Sequence, residues 1–181
     1  MRIGLTGTQS VGKSTLVNAL KESKLFEGYT FATERSKYLS DLGIPLNTDS
    51  TLKGQTVFLA ERCAELLNEN LITDRTIIDV IAFTQSARSI SYNDKMAFEE
   101  YAKRFISEYD YIFYIPTDGV EIEDNGVRCI DEQYRNTIDF TIQVTIRMCG
   151  VESKNIIQIP PRLTVKERVE FIERNMPPTY L

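Results

Sequence analysis

Gly7-Thr8-Gln9-Ser10-Val11-Gly12-Lys13-Ser14 fits the pattern G-x-x-x-x-G-K-[ST] at every fixed position. Its flanks decide what the match means. Upstream, Arg2–Thr6 reads as a short buried strand; downstream, Leu16, Val17 and Leu20 recur at helical spacing between Lys13 and about Ser23. A strand that runs into a glycine-containing loop and then opens a helix is the context this pattern requires. Gly7 and Gly12 let the loop curl so that successive backbone N–H groups point inward at phosphate oxygens. The helix adds its N-terminal donors and the positive end of its dipole. Lys13 sets a cation between the β- and γ-phosphates, and the Ser14 hydroxyl can ligate Mg²⁺. The stretch Gly7, Thr8, Gln9, Ser10, Val11, Gly12, Lys13, Ser14 and Thr15 is therefore expected to hold ATP with Mg²⁺.

Working outward, Tyr29–Thr33 reads as a second strand and Glu34–Leu42 as a helix stopped by Gly43-Ile44-Pro45. A long helix is expected within Thr51–Asn70 and a brief strand at Leu71–Thr73, ending at Asp74-Arg75. Further helices are expected over Asp79–Arg88 and Asp94–Ser107, a strand over Tyr109–Ile115 and a long helix within Arg128–Cys149. A last strand, Asn155–Ile159, precedes a helix over Val165–Arg174. Strands alternating with helices imply a five-stranded parallel sheet with helices on both faces, and with the phosphate loop a three-layer α/β P-loop fold. Ligands in such folds sit beyond the carboxyl ends of the strands, so the polar residues after each strand are the site candidates.

Composition narrows the function. The chain has 181 residues, 42% hydrophobic and 26% charged, with no repeat or linker, which suits one domain over 1–181; the polar stretch within 118–136 is long enough to move as a lid region. A net charge of -5 argues against nucleic acid as the partner, while a few local Arg and Lys suffice for one small polyanion. Histidine is absent, which removes His-dependent triads and His-ligated zinc. Cys63, Cys129 and Cys149 have no metal-ligand spacing and read as inert core residues. No apolar run nears the roughly 20 residues of a membrane span, and the first residues read as a strand rather than a signal peptide. A cytoplasmic protein without a membrane partner is expected.

The acceptor side is read from four features. Thr33-Glu34-Arg35-Ser36 follows the second strand, and Asp74-Arg75 follows the third. Phe58 and Arg62 lie four apart on one helix face, and Arg128 and Arg135 flank a polar segment after the strand ending at Ile115. Phosphoryl transfer needs cations around donor and acceptor, and the planar fork of Arg suits that work. An aromatic face suits a flat base. Pro160-Pro161-Arg162, after the last strand, could border the adenine.

Beyond the P-loop, three stretches resemble the thymidylate kinases, within the nucleoside monophosphate kinases. Phe31-Ala32-Thr33-Glu34-Arg35-Ser36 is similar to F-P-E-R-S, and Phe58-Leu59-Ala60-Glu61-Arg62 to F-x-x-x-R. Asp74-Arg75-Thr76 through Val80-Ile81-Ala82-Phe83-Thr84 is similar to D-R-Y-x-x-S-x-x-A-F-T, with Thr76 for Tyr and Asp79 for Ser. The likeness covers about the first half of the chain. It implies that Arg35 and Arg75 bind the acceptor phosphate, that Phe58 and Arg62 contact the base, and that Asp74 holds Mg²⁺ through water. Gln9 stands where the family often has an acidic residue, and Ser10 where some members have Arg. The further catalytic cation is then expected from the lid, as Arg128 or Arg135, with Asp79 as a sugar or magnesium contact.

The expected reaction is ATP plus a deoxynucleoside monophosphate, dTMP first, with Lys13, Arg75 and the lid arginines neutralising the migrating group. The resemblance also implies a homodimer. Three other readings stay open. One is a nucleoside-type kinase, such as a nicotinamide riboside kinase, with Glu34, Asp74 or Asp79 as general base. Another is a kinase of a modified base within DNA, which the acidic charge disfavours. The third is a P-loop NTPase that regulates a partner.

Overall fold

The structure, a computed structural model, describes residues 1–33, 36–117, 131–149 and 155–177. Among these, the strands are β1 (Arg2–Thr6), β2 (Thr30–Ala32), β3 (Leu71–Asp74), β4 (Tyr111–Tyr114) and β5 (Ile156–Gln158). The helices are α1 (Lys13–Leu20), α2 (Ser36–Asp41), α3 (Leu52–Glu65), α4 (Ile77–Ser86), α5 (Tyr92–Lys103), α6 (Glu132–Cys149) and α7 (Val165–Arg174). The strands form one parallel sheet in the order β2-β3-β1-β4-β5. Ile3 pairs with Ile72 on one side and Tyr111 on the other, so β1 is central.

The alternation of side chains along the strands builds a core on each face. Ile3, Leu5, Ile72 and Phe113 meet Leu16, Val17 and Leu20 of α1 and Ile172 of α7. Leu71, Ile112 and Tyr114 face the other way, onto α4 and onto Tyr134, Ile138 and Ile142, which recur every fourth residue along α6. Helix α4 is buried nearly all round, from Ile77 through Ala82, between α3, α5 and α6. The chain runs from β1 to the far strand β2, back to β3, and then across β1 to β4. The order thus reverses at the carboxyl end of β1, which is where the P-loop begins and where such sheets bind ligands.

Element ends differ from expectation where a cap intervenes. Helix α4 starts at Ile77 rather than Asp79 because Thr76 caps it: the Thr76 hydroxyl accepts the Ile78 N–H at 3.1 Å, and Asp79 returns by accepting the Thr76 N–H at 2.7 Å. Ser91 likewise caps α5, which ends at Lys103, and a 3₁₀ turn at Ile106–Glu108 replaces its expected last residues. A 3₁₀ turn at Asn47–Asp49 was not expected. Helix α6 begins at Glu132, inside the span assigned to a lid; residues 118–130 of that span lie outside the described residues.

Candidate functional site

The P-loop leaves β1 at Thr6 and enters α1 at Lys13. Gly12 has φ +85° and Gly7 has φ +151°, and a Cβ on Gly7 would lie 2.6 Å from the Ile115 carbonyl oxygen. Both positions therefore require glycine. Ser10 is also left-handed, at φ 62°. The Lys13 ammonium arches back over the loop and donates to the carbonyls of Gly7 (2.7 Å) and Thr8 (2.8 Å). Thr8 donates its hydroxyl to the buried Gln9 side-chain carbonyl at 2.7 Å.

An open cleft of about 930 Å³ lies along Gln9–Thr15. Asp74 and Arg75 bound it, as do Leu163, Thr164, Val165 and Arg168. Arg168 pins this wall to the loop: Nη1 donates to the Val11 carbonyl at 2.8 Å and Nε to the Leu163 carbonyl at 3.1 Å. The turn Pro160-Pro161-Arg162, expected at the adenine, stops just short; the wall of the cleft starts at Leu163.

Ser14 and Asp74 come together as expected for a metal pair. The Ser14 hydroxyl donates to Asp74 Oδ2, while Asp74 Oδ1 is buried and has no partner among the described residues. A hydroxyl and an under-satisfied carboxylate oxygen, side by side next to a phosphate loop, are the hard oxygen donors that Mg²⁺ takes.

A second pocket, of about 370 Å³ including its open mouth, lies between Phe58 of α3 and Phe83 of α4, with Leu46, Asn47, Ser50 and Gln55 along its sides. Arg75 lines both this pocket and the P-loop cleft. Its backbone is left-handed at φ 93°, and its guanidinium carbon stands 4.8 Å from the centre of the Phe83 ring. A strained residue of this kind at a cleft persists only where its surroundings hold it. Gln55 is 3% exposed, and its side-chain amide has no hydrogen-bond partner among the described residues, nor has the hydroxyl of Ser50.

Three expected site residues sit differently. Asp79 lines the pocket, but its carboxylate is occupied. Oδ2 accepts the Thr6 hydroxyl (2.8 Å), the Thr76 N–H (2.7 Å) and the Thr76 hydroxyl (3.1 Å), and Oδ1 accepts the Gly7 N–H (3.2 Å). It ties the P-loop to α4 through these bonds. Arg62 lies one turn beyond Phe58, yet it is buried and turned to Glu65, with Nη2 2.6 Å from Oε1, and it does not line the pocket. Arg135 sits in the first turn of α6, with Nη2 donating to the Thr117 carbonyl at 3.1 Å. Burial lowers its pKa, and it lines neither of these cavities.

Glu34, Arg35 and Arg128 lie outside the described residues. Cys63 is partly buried, which raises its thiol pKa and fits an inert role. The sequence reading passed over Gln55, Ser50 and Arg168. Gln55 could have been found, standing three residues before Phe58 on one helix face. Arg168 could not, because its partner Val11 is 157 residues away.

Residues 2–168 match the protein family described as AAA domain. A search of curated proteins finds no match. Among solved structures, deoxyadenosine kinase from M. mycoides with bound dCTP superposes with a TM-score of 0.67 and 21% identity, over 96% of this chain and 97% of that one. The same kinase with products dCMP and a flexible dCDP gives 0.66 and 20% over the same shares. NadR protein in complex with NR gives 0.75 and 17%, covering 95% of this chain and 50% of NadR, so this chain spans about half of that protein. These likenesses establish the P-loop kinase fold. They do not carry the narrower reading as thymidylate kinase.

Proposed function

The chain belongs to the AAA-domain family, and from that premise we propose that it is an ATP- and Mg²⁺-dependent kinase whose acceptor is a nucleoside or a close nucleoside analogue. One observation carries this reading: a pocket bounded by Phe58, Phe83 and Gln55 meets the P-loop cleft at Arg75. Two aromatic walls suit a flat ring. The Gln55 amide offers a donor and an acceptor together, the pair needed to read a base edge or a ring carboxamide. The same fold in a kinase structure with dCMP as product and in NadR with NR supports an acceptor of this class.

The P-loop amides and Lys13 would hold the ATP phosphates, with Ser14 and Asp74 holding Mg²⁺, which when bound offsets charge on the β- and γ-phosphates. The acceptor hydroxyl oxygen bonds to the γ-phosphorus while the bond to the β-phosphate oxygen breaks and ADP leaves. The hydroxyl proton needs a base. Asp79 is engaged by Thr6, Gly7 and Thr76 and Asp74 by Ser14; Glu34, outside the described residues, is assigned that role. Arg75, at the junction of the two cavities, would neutralise charge on the group in transit.

A monophosphate acceptor such as dTMP is the second reading, favoured by Arg75 at the inner end of the pocket with Arg35 as a second cation; an ionised phosphate then needs no base. ADP release with ATP and Mg²⁺ separates the readings across nucleosides, nicotinamide riboside, nucleoside monophosphates and no acceptor. Turnover with nucleosides that is lost in Glu34→Gln supports the first, and turnover confined to monophosphates and kept in Glu34→Gln supports the second. Hydrolysis without any acceptor sinks both and points to a regulatory NTPase.

A further inference from the structure

Under the Asp74–Arg75 turn lies a buried ion pair that the reaction above does not use. Arg62 and Glu65 stand one turn apart on α3 with side chains 3% and 17% exposed, and Arg62 Nη2 meets Glu65 Oε1 at 2.6 Å. A buried pair gains little over apolar residues of the same size, because removing two charges from water offsets their attraction. Its placement therefore asks for another reason, and its remaining contacts supply one. Arg62 Nη1 donates to the Asp74 carbonyl at 3.3 Å. The Thr73 hydroxyl lies 2.8 Å from Glu65 Oε2 and 3.2 Å from the Arg75 carbonyl, shared between the two. Thr73 and Asp74 are thus tied directly to one ion pair on α3, and Arg75 through the Thr73 hydroxyl. On the opposite side the Arg75 N–H donates to the Leu5 carbonyl at 3.0 Å.

The residue at the centre of these ties has φ 93° and carries the guanidinium that lines both cavities. A non-glycine residue relaxes from that conformation unless its peptide groups are held. We propose that the Arg62–Glu65 pair is a positioning device: it locks the Asp74–Arg75 turn so that the Arg75 guanidinium stays over Phe83, between acceptor and γ-phosphate. Arg62 does not touch substrate; it acts through Arg75. The proposal rests on the kinase reading for its kinetic consequence, and on geometry alone for its structural one.

The double variant Arg62→Met/Glu65→Leu removes both charges while keeping volume, so it is expected to melt no lower than wild type. Two readouts then separate positioning from packing. Amide hydrogen exchange across residues 74–79, read without substrate, is expected to speed up by about tenfold or more while the sheet stays protected. Under saturating substrates kcat is expected to fall by about tenfold or more, with ATP affinity by titration changed less than about twofold. Unchanged exchange at the turn, or unchanged kcat, overturns the proposal. Should the double variant not fold, Thr73→Val decides by the same two readouts, since it removes only the hydroxyl shared by Glu65 and the Arg75 carbonyl. A wild type that turns over no acceptor removes the kinase reading instead, and exchange alone then judges the clamp.

Discussion

At Arg75 three constraints meet: a left-handed backbone, a guanidinium 4.8 Å from the Phe83 ring centre, and an N–H held by Leu5. Alanine is strained at φ 93° as well, so Arg75→Ala forfeits mainly the cation–π contact, about 0.5–2 kcal/mol of stability. The same change removes a cation from the transferring group, where loss of one stabilising partner costs on the order of 10²–10³ in kcat. The expected outcome is a folded protein with kcat down by that factor; loss of activity only in step with loss of folded protein would contradict it. Asp79→Asn behaves differently. Four donors converge on this carboxylate, and an amide group replaces one acceptor oxygen with a donor that faces them. A cost of about 1–3 kcal/mol is expected, seen as a lower urea midpoint, together with weaker ATP binding because Gly7 loses its anchor. These contrasts mark what the sequence could carry. The place of Lys13 and Ser14 was legible because a phosphate loop fixes residue types at fixed spacings, and that of Asp74 and Arg75 because they follow a strand at the sheet's carboxyl edge. Arg62 was misplaced because one helix face admits two directions for a long side chain, and only the three-dimensional position of Glu65 and Thr73 chooses between them. Asp79 was legible as a polar residue near the loop but not as its anchor, since two of its four donors come from Thr6 and Gly7, more than seventy residues upstream.

At the scale of elements, caps explain both the errors and a pH effect. The strands were legible as short apolar runs and the helices as periodic ones, while helix starts moved wherever a Thr or Ser cap set them, as at Thr76 and Ser91. Helix α7 carries the most exposed example. Glu167 accepts the Thr164 N–H at 2.8 Å and the Thr164 hydroxyl at 2.7 Å, which hold its pKa below the ordinary carboxylate value. A carboxyl whose folded pKa is depressed contributes stability above its unfolded pKa and loses it as the pH falls through the folded value. Wild type is therefore expected to have a higher urea midpoint than Glu167→Gln at neutral pH, the gap closing as the pH falls below about 4. A gap that stays constant with pH would assign the difference to packing rather than to charge. Because Arg168 lies in the next position and holds the Val11 carbonyl, fraying of this cap should also weaken nucleotide binding under acid.

For the whole molecule, the donor cleft joins parts of the chain that local patterning never relates: Gln9–Thr15 at one end and Leu163–Arg168 at the other. The parallel sheet followed from strand–helix alternation, but the Arg168 bond to Val11 depends on where α7 docks against α1 once the core has formed. A ligand that bridges both walls binds only the folded state, so it draws on the stability of the whole domain. At about 100 times its Kd, ATP with Mg²⁺ is expected to add about 2.7 kcal/mol. For a domain of this size that is a rise in Tm of roughly 5–10 °C. Chelating Mg²⁺ should shrink the shift, and Asp74→Asn should make the remaining shift insensitive to chelator, because Asp74 Oδ1 is the buried oxygen without a partner among the described residues. Arg168→Ala should reduce the shift with or without Mg²⁺, since it loosens a wall of the cleft and leaves the metal pair intact. A Tm that ignores ATP in wild type would remove the donor site, and equal shifts with and without chelator would remove Ser14 and Asp74 as the metal pair while leaving the P-loop reading in place.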